Sequence, residues 1–554
     1  MASSPETLLI LNAQVFTADA ALPRAQAVGI QGNRIAFVGS NADAERWRTP
    51  GARVIDGQDC TLMPGIIDSH YHLFVGSMEL GLLDLWNAAS FAEVAEMISR
   101  HAAERPDEEG IHCVQMRYEI LPEGGRLTRQ HLDAILPDRS LTIMGYDHHN
   151  AWANTRALET AGALRGAPTG PNSEIVMAQD GTATGELVEP AAYCVVLRHF
   201  EGWGRTVKGL MGETAGKPRL NPERERTWLR EGLKLTARYG ITSVHNMDGD
   251  AEQAAFYAAM EAAGELTVRV NIPYSIFPST QIKDLDEAVE MARQYQGGKI
   301  RSGRVKLFMD GVMEFRTALL LHDYADQPGW SGDALYSADH FNLLARECDA
   351  RGLQITVHAI GDAAIRRTLD GYELARKVNG ARDSRHRVEH VEQIHPDDLP
   401  RFAHLGVIAS MQPFHSPITY PETHEVFPDR VGEARWHLSF AWQNVRGAGA
   451  RLAFGSDWPV VTQDPFIGLH AAINRGPWKP GMVDQRQSLD DTLHSYTREG
   501  AYAEFQEEIK GQIRPGMLAD LVLLTEDIHH TPHDRIKDVR AALTICDGRI
   551  VYQA

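Results

Sequence analysis

Met63-Pro64-Gly65-Ile66-Ile67-Asp68-Ser69-His70-Tyr71-His72 is an apolar run that ends in two histidines two residues apart. Read as a strand from Ile66, residues i and i+2 share one face, so His70 and His72 project together and can clamp one cation. In a chain with 24 histidines such a pair arises easily by chance. The segments downstream give it meaning.

Val305-Lys306-Leu307-Phe308-Met309-Asp310 is apolar apart from Lys306 and Asp310. Leu353-Gln354-Ile355-Thr356-Val357-His358 ends in His358, and Arg387-Val388-Glu389-His390-Val391 carries His390. Ala450-Arg451-Leu452-Ala453-Phe454-Gly455-Ser456-Asp457 reads as a strand ending in Gly-Ser-Asp, and Trp458-Pro459 stops it. Each segment delivers a polar group near the C-terminal end of a buried strand, where the catalytic groups of a (β/α)8 TIM-type barrel sit. Between them strands alternate with helical patterns, as parallel βα units require. Asn221 to Tyr239 predicts a helix, with Pro222 in its first turn and Gly240 ending it. Ile241-Thr242-Ser243-Val244-His245 predicts the next strand.

A chain of 554 residues exceeds one simple core, so two or more domains are expected. Residues 7–60 read as short strands punctuated by the turn Gly32-Asn33-Arg34. The last forty residues repeat the pattern, with Ala519-Asp520-Leu521-Val522-Leu523-Leu524 and a turn at Asp547-Gly548-Arg549. These ends form either one composite β-sandwich or two unrelated edge sheets. Residues 95–220 fit the βα alternation poorly and read as a large insertion after the first barrel strand, covering the active-site mouth.

The formal net charge of −19 argues against nucleic acid or an anionic membrane as partner, since both need basic patches. No stretch approaches the roughly 20 apolar residues of a membrane span. The first residues lack the basic and apolar regions of a secretory signal. Five scattered cysteines with no Cys-x-x-Cys spacing read as reduced thiols of a cytoplasmic protein.

Taken together, residues 63–72, Val305 to Gly311, Val357-His358-Ala359-Ile360-Gly361-Asp362, Arg387-Val388-Glu389-His390, Gly455-Ser456-Asp457-Trp458-Pro459-Val460 and Pro515-Gly516-Met517-Leu518-Ala519-Asp520-Leu521 resemble the amidohydrolase superfamily. The similarity is to amidohydrolase family 3, the branch that includes N-substituted formamide deformylases. The motifs run in family order across most of the chain. The resemblance implies a (β/α)8 barrel over 61–509, with 95–220 as the cover and residues 1–60 and 510–554 as one composite sandwich. It also implies metal-dependent hydrolysis of a non-peptide C–N bond in a small molecule. His70, His72 and Asp457 would hold one metal, and His358 and His390 a second. Lys306 would bridge the two if CO2 carboxylates its amine, because an ammonium has no lone pair to give. Lys306 in an apolar strand is otherwise an expensive charge. Imidazole and carboxylate ligands suit Zn2+, though Mn2+, Fe2+ or Co2+ fit the same set. Asp457 would also serve as general base.

On the substrate side, Asp147-His148-His149-Asn150-Ala151-Trp152 resembles a family segment whose register makes His149 face the substrate, leaving His148 structural. Gln412 and His415 follow the apolar run Val407-Ile408-Ala409 and fall near a barrel mouth. Asp310 shares a strand face with Lys306 and points toward the mouth, or else pairs with an arginine such as Arg316. Trp86 and Trp458 are among the aromatics expected in the pocket wall. Asn246 stands after His245 where the family more often has an acidic residue. The same centre could act on an ester, lactone or carbamate, or decarboxylate; a non-catalytic scaffold is a further alternative. A homo-oligomer, such as a dimer, is expected.

Overall fold

The computed structural model describes residues 7–120, 126–170, 173–201, 203–204, 206–207, 219–417 and 421–554. Eight short strands build the centre: β1 (Ile66–Tyr71), β2 (Ile241–Asn246), β3 (Arg269–Asn271), β4 (Arg304–Phe308), β5 (Gln354–Ala359), β6 (Arg387–His390), β7 (Ile408–Met411) and β8 (Arg451–Phe454). Each pairs parallel with the next; between β3 and β4 the pairing runs through Tyr274–Ser275. The ring closes where the Asp457 N–H donates to the His70 carbonyl at 2.7 Å and the His72 N–H donates to the Trp458 carbonyl at 2.9 Å. This is a TIM-type α/β barrel.

Every residue of β1, β2 and β5 is buried, so neither face shows the polar alternation of a solvent-facing strand, and the polar residues on them, Asp68, His70, His245 and His358 among them, lie inside the barrel wall or at its mouth. Helices cover the outer face. Pro222–Arg238 begins as its sequence predicts, with Pro222 in the first turn and the Asn221 side chain accepting from the Arg224 N–H.

The seam between β1 and β8 is tight. A Cβ on Gly455 would lie 2.3 Å from the His70 nitrogen, so only glycine lets the strands meet there. Asp68 stitches the same seam: its carboxylate accepts the Ser456 N–H at 3.0 and 3.1 Å and the His70 N–H at 3.2 Å. Burial lifts the Asp68 carboxyl to about 7 against those hydrogen bonds.

Between β1 and β2 the chain builds a separate six-stranded sheet, in the order 174–177, 183–188, 150–153, 140–145, 110–116 and 83–84. Strands from both chain ends share another sheet: Leu521–Leu524 pairs antiparallel with Thr61–Pro64, which pairs with Gln14–Phe16. One apolar core joins this sheet to the N-terminal strands through Leu8, Ile10, Val28, Leu62, Leu521 and Ile545. All five cysteines are free. Among the described residues no helix is long and apolar enough to cross a membrane.

Candidate metal centre

The ends of β1 and β8 bring His70, His72 and Asp457 together. One ligand atom from each lies within 4.8 Å of the others. His70 Nε2 and His72 Nε2 both stand 3.2 Å from Asp457 Oδ1. That oxygen is nevertheless buried without a properly directed hydrogen bond, so the three groups converge on a point instead of pairing with one another.

The far nitrogens explain the convergence. His70 Nδ1 lies 2.6 Å from Glu389 Oε2, and His72 Nδ1 lies 2.9 Å from Asp248 Oδ1. A carboxylate at Nδ1 accepts a hydrogen bond from the Nδ1–H, which holds the ring proton there and leaves Nε2 with its lone pair, the tautomer a metal ligand needs. Glu389 is itself gripped by Arg387, at 2.8 Å from Nε and 3.1 Å from a terminal nitrogen. Though burial opposes its charge, Arg387 and His70 hold Glu389 down at about 2. For Asp457, too, burial works against the charge, but the histidines, His70 first, hold it well below the usual carboxylate range. Burial likewise disfavours charge on His72, yet Asp248 and Asp457 outweigh it and raise the ring to about 9. With no cation present, a proton would occupy that place.

Around this trio the rings form an arc. His390 lies 4.7 Å from His70 between centroids, and His358 lies 4.4 Å from His390. Burial, with neighbouring positive charge, pushes both His358 and His390 far below the ordinary histidine value, so they stand neutral. His390 Nδ1 is buried without a hydrogen-bond partner. A second group, His390, Glu392 and His415, also brings three ligand atoms within 4.8 Å. Lys306 Nζ is buried with no hydrogen-bond partner and sits 3.6 Å from the centroid of the Phe308 ring; burial lowers it to about 8 despite Glu389 and Asp457. Buried polar atoms in native proteins are nearly always satisfied. The orphans at Asp457, His390 and His415 therefore fit a cationic centre, and Lys306 fits it only with its ammonium charge removed.

The backbone marks the same place. His148, Glu189, His390 and Asp457 all adopt positive φ, at 63°, 67°, 72° and 65°. Non-glycine residues held there are uncommon and gather at functional sites.

The cavity at these side chains, the candidate reaction pocket, is small, ≈70 Å³, and is lined by His149, His358, His390, His415, Asp457 and Glu314 among others. Two of the adjacent histidines divide their duties. His148 Nε2 lies 3.0 Å from Glu79 Oε1, and burial lowers its pKa to about 3. His149 Nδ1 binds Glu189 Oε2 at 2.8 Å; burial opposes its charge, but Glu189 and Asp147 raise it to about 9.

Other expected residues stand elsewhere. Asp310 spends both carboxylate oxygens on the backbone N–H groups of Leu319, Ile360 and Gly361, at 2.9, 3.1 and 2.9 Å. Arg316 pairs with Asp326 instead. Trp458 is a core residue that packs on Tyr71, with ring centroids 5.1 Å apart, and over Gly76. Trp86 packs against the cluster of Tyr146 and Val461, its ring 6.0 Å from that of Tyr146. Gln412 is buried, and neither of its amide atoms has a hydrogen-bond partner. Asn246 accepts the Leu73 N–H at 2.8 Å, so it fixes the turn that follows His72. The residues missed in the sequence are the carboxylates behind the ligands. Arg387 and Glu389 sit at i and i+2 in one buried strand, a spacing that requires them to face each other and pair. Asp248 and Glu189 leave no comparable signal.

A closed α/β barrel with buried imidazoles and an aspartate at the C-terminal ends of its strands defines a metal-dependent hydrolase. The model of the amidohydrolase family matches residues 53–552, and the chain belongs to that family. It is 27% identical to Protein LONG AFTER FAR-RED 3 of Arabidopsis thaliana, over 98% of this chain and 91% of that protein. It is also 27% identical to the N-substituted formamide deformylase of Arthrobacter pascens, over 99% and 98%. Among solved structures, an uncharacterized metal-dependent hydrolase from Pyrococcus horikoshii shares the fold, with a TM-score of 0.73 at 24% identity, covering 95% of this chain and 100% of that one.

Proposed function

We propose that this chain hydrolyses a non-peptide C–N bond, the N-formyl or other N-acyl amide of a small molecule, with Asp457 as general base. The observation that carries the reading is the convergence of His70 Nε2 and His72 Nε2 on one Asp457 oxygen, with both far nitrogens tied to carboxylates. The likeness to a formamide deformylase along the whole chain supports the bond type.

His70, His72 and Asp457 would hold one divalent cation. His358 and His390 would hold a second together with Lys306, once its amine is carboxylated. A buried ammonium over the Phe308 ring with no hydrogen-bond partner is costly, whereas a carbamate offers two oxygens as ligands. Imidazole and carboxylate donors suit Zn2+. When bound, such a cation lowers the pKa of water and polarises a carbonyl oxygen.

Asp457 takes a proton from the attacking water and passes it to the leaving nitrogen. His149, its Nδ1 tied to Glu189, donates from Nε2 to the carbonyl oxygen as charge develops there. The acyl carbon gains hydroxyl and the nitrogen gains hydrogen, giving a carboxylic acid and an amine. In this reading residues 61–509 are the catalytic barrel, 95–220 its cover, and 1–60 with 510–554 a supporting sandwich.

Release of free amine from N-formyl, N-acetyl and cyclic amides, with Zn2+-loaded and chelated protein, tests the proposal. The expected result is cation-dependent release from one group, reduced by orders of magnitude in Asp457→Asn. Silence across the panel with cation bound, or near wild-type turnover in Asp457→Asn, overturns it.

A further inference from the structure

His149 lines two cavities. One is the small reaction pocket; the other is a chamber of ≈570 Å³ between the inserted sheet and the barrel. Its walls include Val195, Ile276, Phe277, Phe308 and Leu335. The charged groups on them are His149, Glu189, Arg198 and Asp310. Asp310 is committed to backbone, and Glu189 has one oxygen on His149. The volume falls in the range of about 300–1,000 Å³ typical of small-molecule sites, which are mostly apolar with a few placed polar groups.

One such group is in place. Glu189 is 7% exposed, and its Oε1 is buried with no hydrogen-bond partner. That oxygen belongs to the chamber wall: a Cβ on Gly311, which also lines the chamber, would lie 2.9 Å from it, and the next residue, Val312, lines the reaction pocket. An unsatisfied carboxylate oxygen favours a ligand N–H that reaches it.

We infer that the chamber holds a bulky apolar substituent on the nitrogen of the scissile amide, and that Glu189 Oε1 accepts the N–H of that amide. The inference rests on the amide reading above. The reaction pocket takes the acyl group, which is why it is small; the chamber takes the amine side. The preferred substrate class is therefore a short-acyl secondary amide with an aryl-alkyl or branched alkyl N-substituent.

Val195 lines the chamber and is only partly buried, so Val195→Trp fills space with little demand on the core; Ser279→Trp, from an exposed position on the opposite wall, is the second variant. Both should raise KM for N-phenethylformamide about tenfold or more while leaving kcat/KM for N-methylformamide within about twofold. In the wild type, N-methylation of N-phenethylformamide should cut kcat/KM about 100-fold, because the N–H for Glu189 is gone. Equal effects on both formamides, or no effect in either folded variant, overturns the chamber; equal turnover of the secondary and tertiary amides overturns the Glu189 contact. Binding of n-butylbenzene by calorimetry reads the chamber without any reaction. If no amide is cleaved, the hydrolysis reading and the Glu189 contact fall. The chamber then stands if the wild type binds the hydrocarbon and Val195→Trp weakens it about tenfold, and falls if the wild type does not bind.

Discussion

Replacing Asp248 by asparagine removes one negative charge from behind His72 and keeps the shape of the side chain. Asp248 Oδ1 holds His72 Nδ1 at 2.9 Å, and its Oδ2 accepts from Gln253 Nε2 at 3.0 Å. Asparagine can keep the first contact with its oxygen if Gln253 turns its amide over, and Gln253 Oε1 has no other partner to lose. The loss is therefore the charge, not the packing. A hydrogen bond to a charged group contributes about 1.5–3 kcal/mol against about 0.5–1.5 for a neutral one. Loss of such support behind a metal-binding imidazole costs about 10–100-fold in affinity. The pH sets how much of this is visible. In the cation-free protein Asp248 helps to hold His72 protonated up to about 9, and that proton must leave when a cation binds. The variant has less proton to expel at pH 7, which offsets part of the loss; near pH 9 and above the offset vanishes. Zn2+ affinity, measured by competition with a chromophoric chelator, should fall about 10–100-fold at pH 9 and less at pH 7. Circular dichroism of the cation-free protein should be unchanged, while its Tm should fall at pH 7, where Asp248 favours protonated His72 in the folded state, and change less at pH 9 and above. An affinity within about threefold of wild type at pH 9, in a folded variant, would refute the role given to His72 and Asp248.

Gly455→Ala places a methyl group 2.3 Å from the His70 nitrogen; the seam must part, at a cost of about 1–3 kcal/mol in urea unfolding. A variant as stable as wild type would mean that the strands are not held that close. Lys306→Ala should remove one of two cations per chain by metal analysis, and 13CO2 labelling should give a lysine carbamate signal in the wild type alone. Unchanged stoichiometry with no such signal would leave Lys306 as an unmodified amine. Zn2+ at about 1,000 times its Kd should stabilise the fold by about 4 kcal/mol, seen as a rise in Tm; no rise would mean that the ion binds outside the folded centre.

The order of the strands and the ligand-type residues at their ends were legible in the sequence, because both depend on local pattern. A strand buried on both faces is apolar except where a polar side chain finds a partner inside. A histidine or aspartate that interrupts such a run, as at His70, His358 and Asp457, announces itself by its cost. The helix from Pro222 was readable for a similar reason, since its cap and first turn are made by neighbours in the chain. What lies behind the ligands was not readable. Glu389 meets His70 across 319 positions, and Asp248 meets His72 across 176; no local pattern encodes such pairs. For Asp310, too, only the fold supplies the partners: its spacing from Lys306 directs it to the mouth, three backbone N–H groups bind its carboxylate, two of them from the loop after β5, and the residue lines the larger cavity. Trp458 looked like a pocket wall and packs on Tyr71. The chain by itself determined which residues could bind a cation and along which strands they come. Only closure of the barrel decided which atoms converge, which nitrogen of each imidazole is free, and where space is left for a substrate, because those depend on contacts between segments that the sequence keeps far apart.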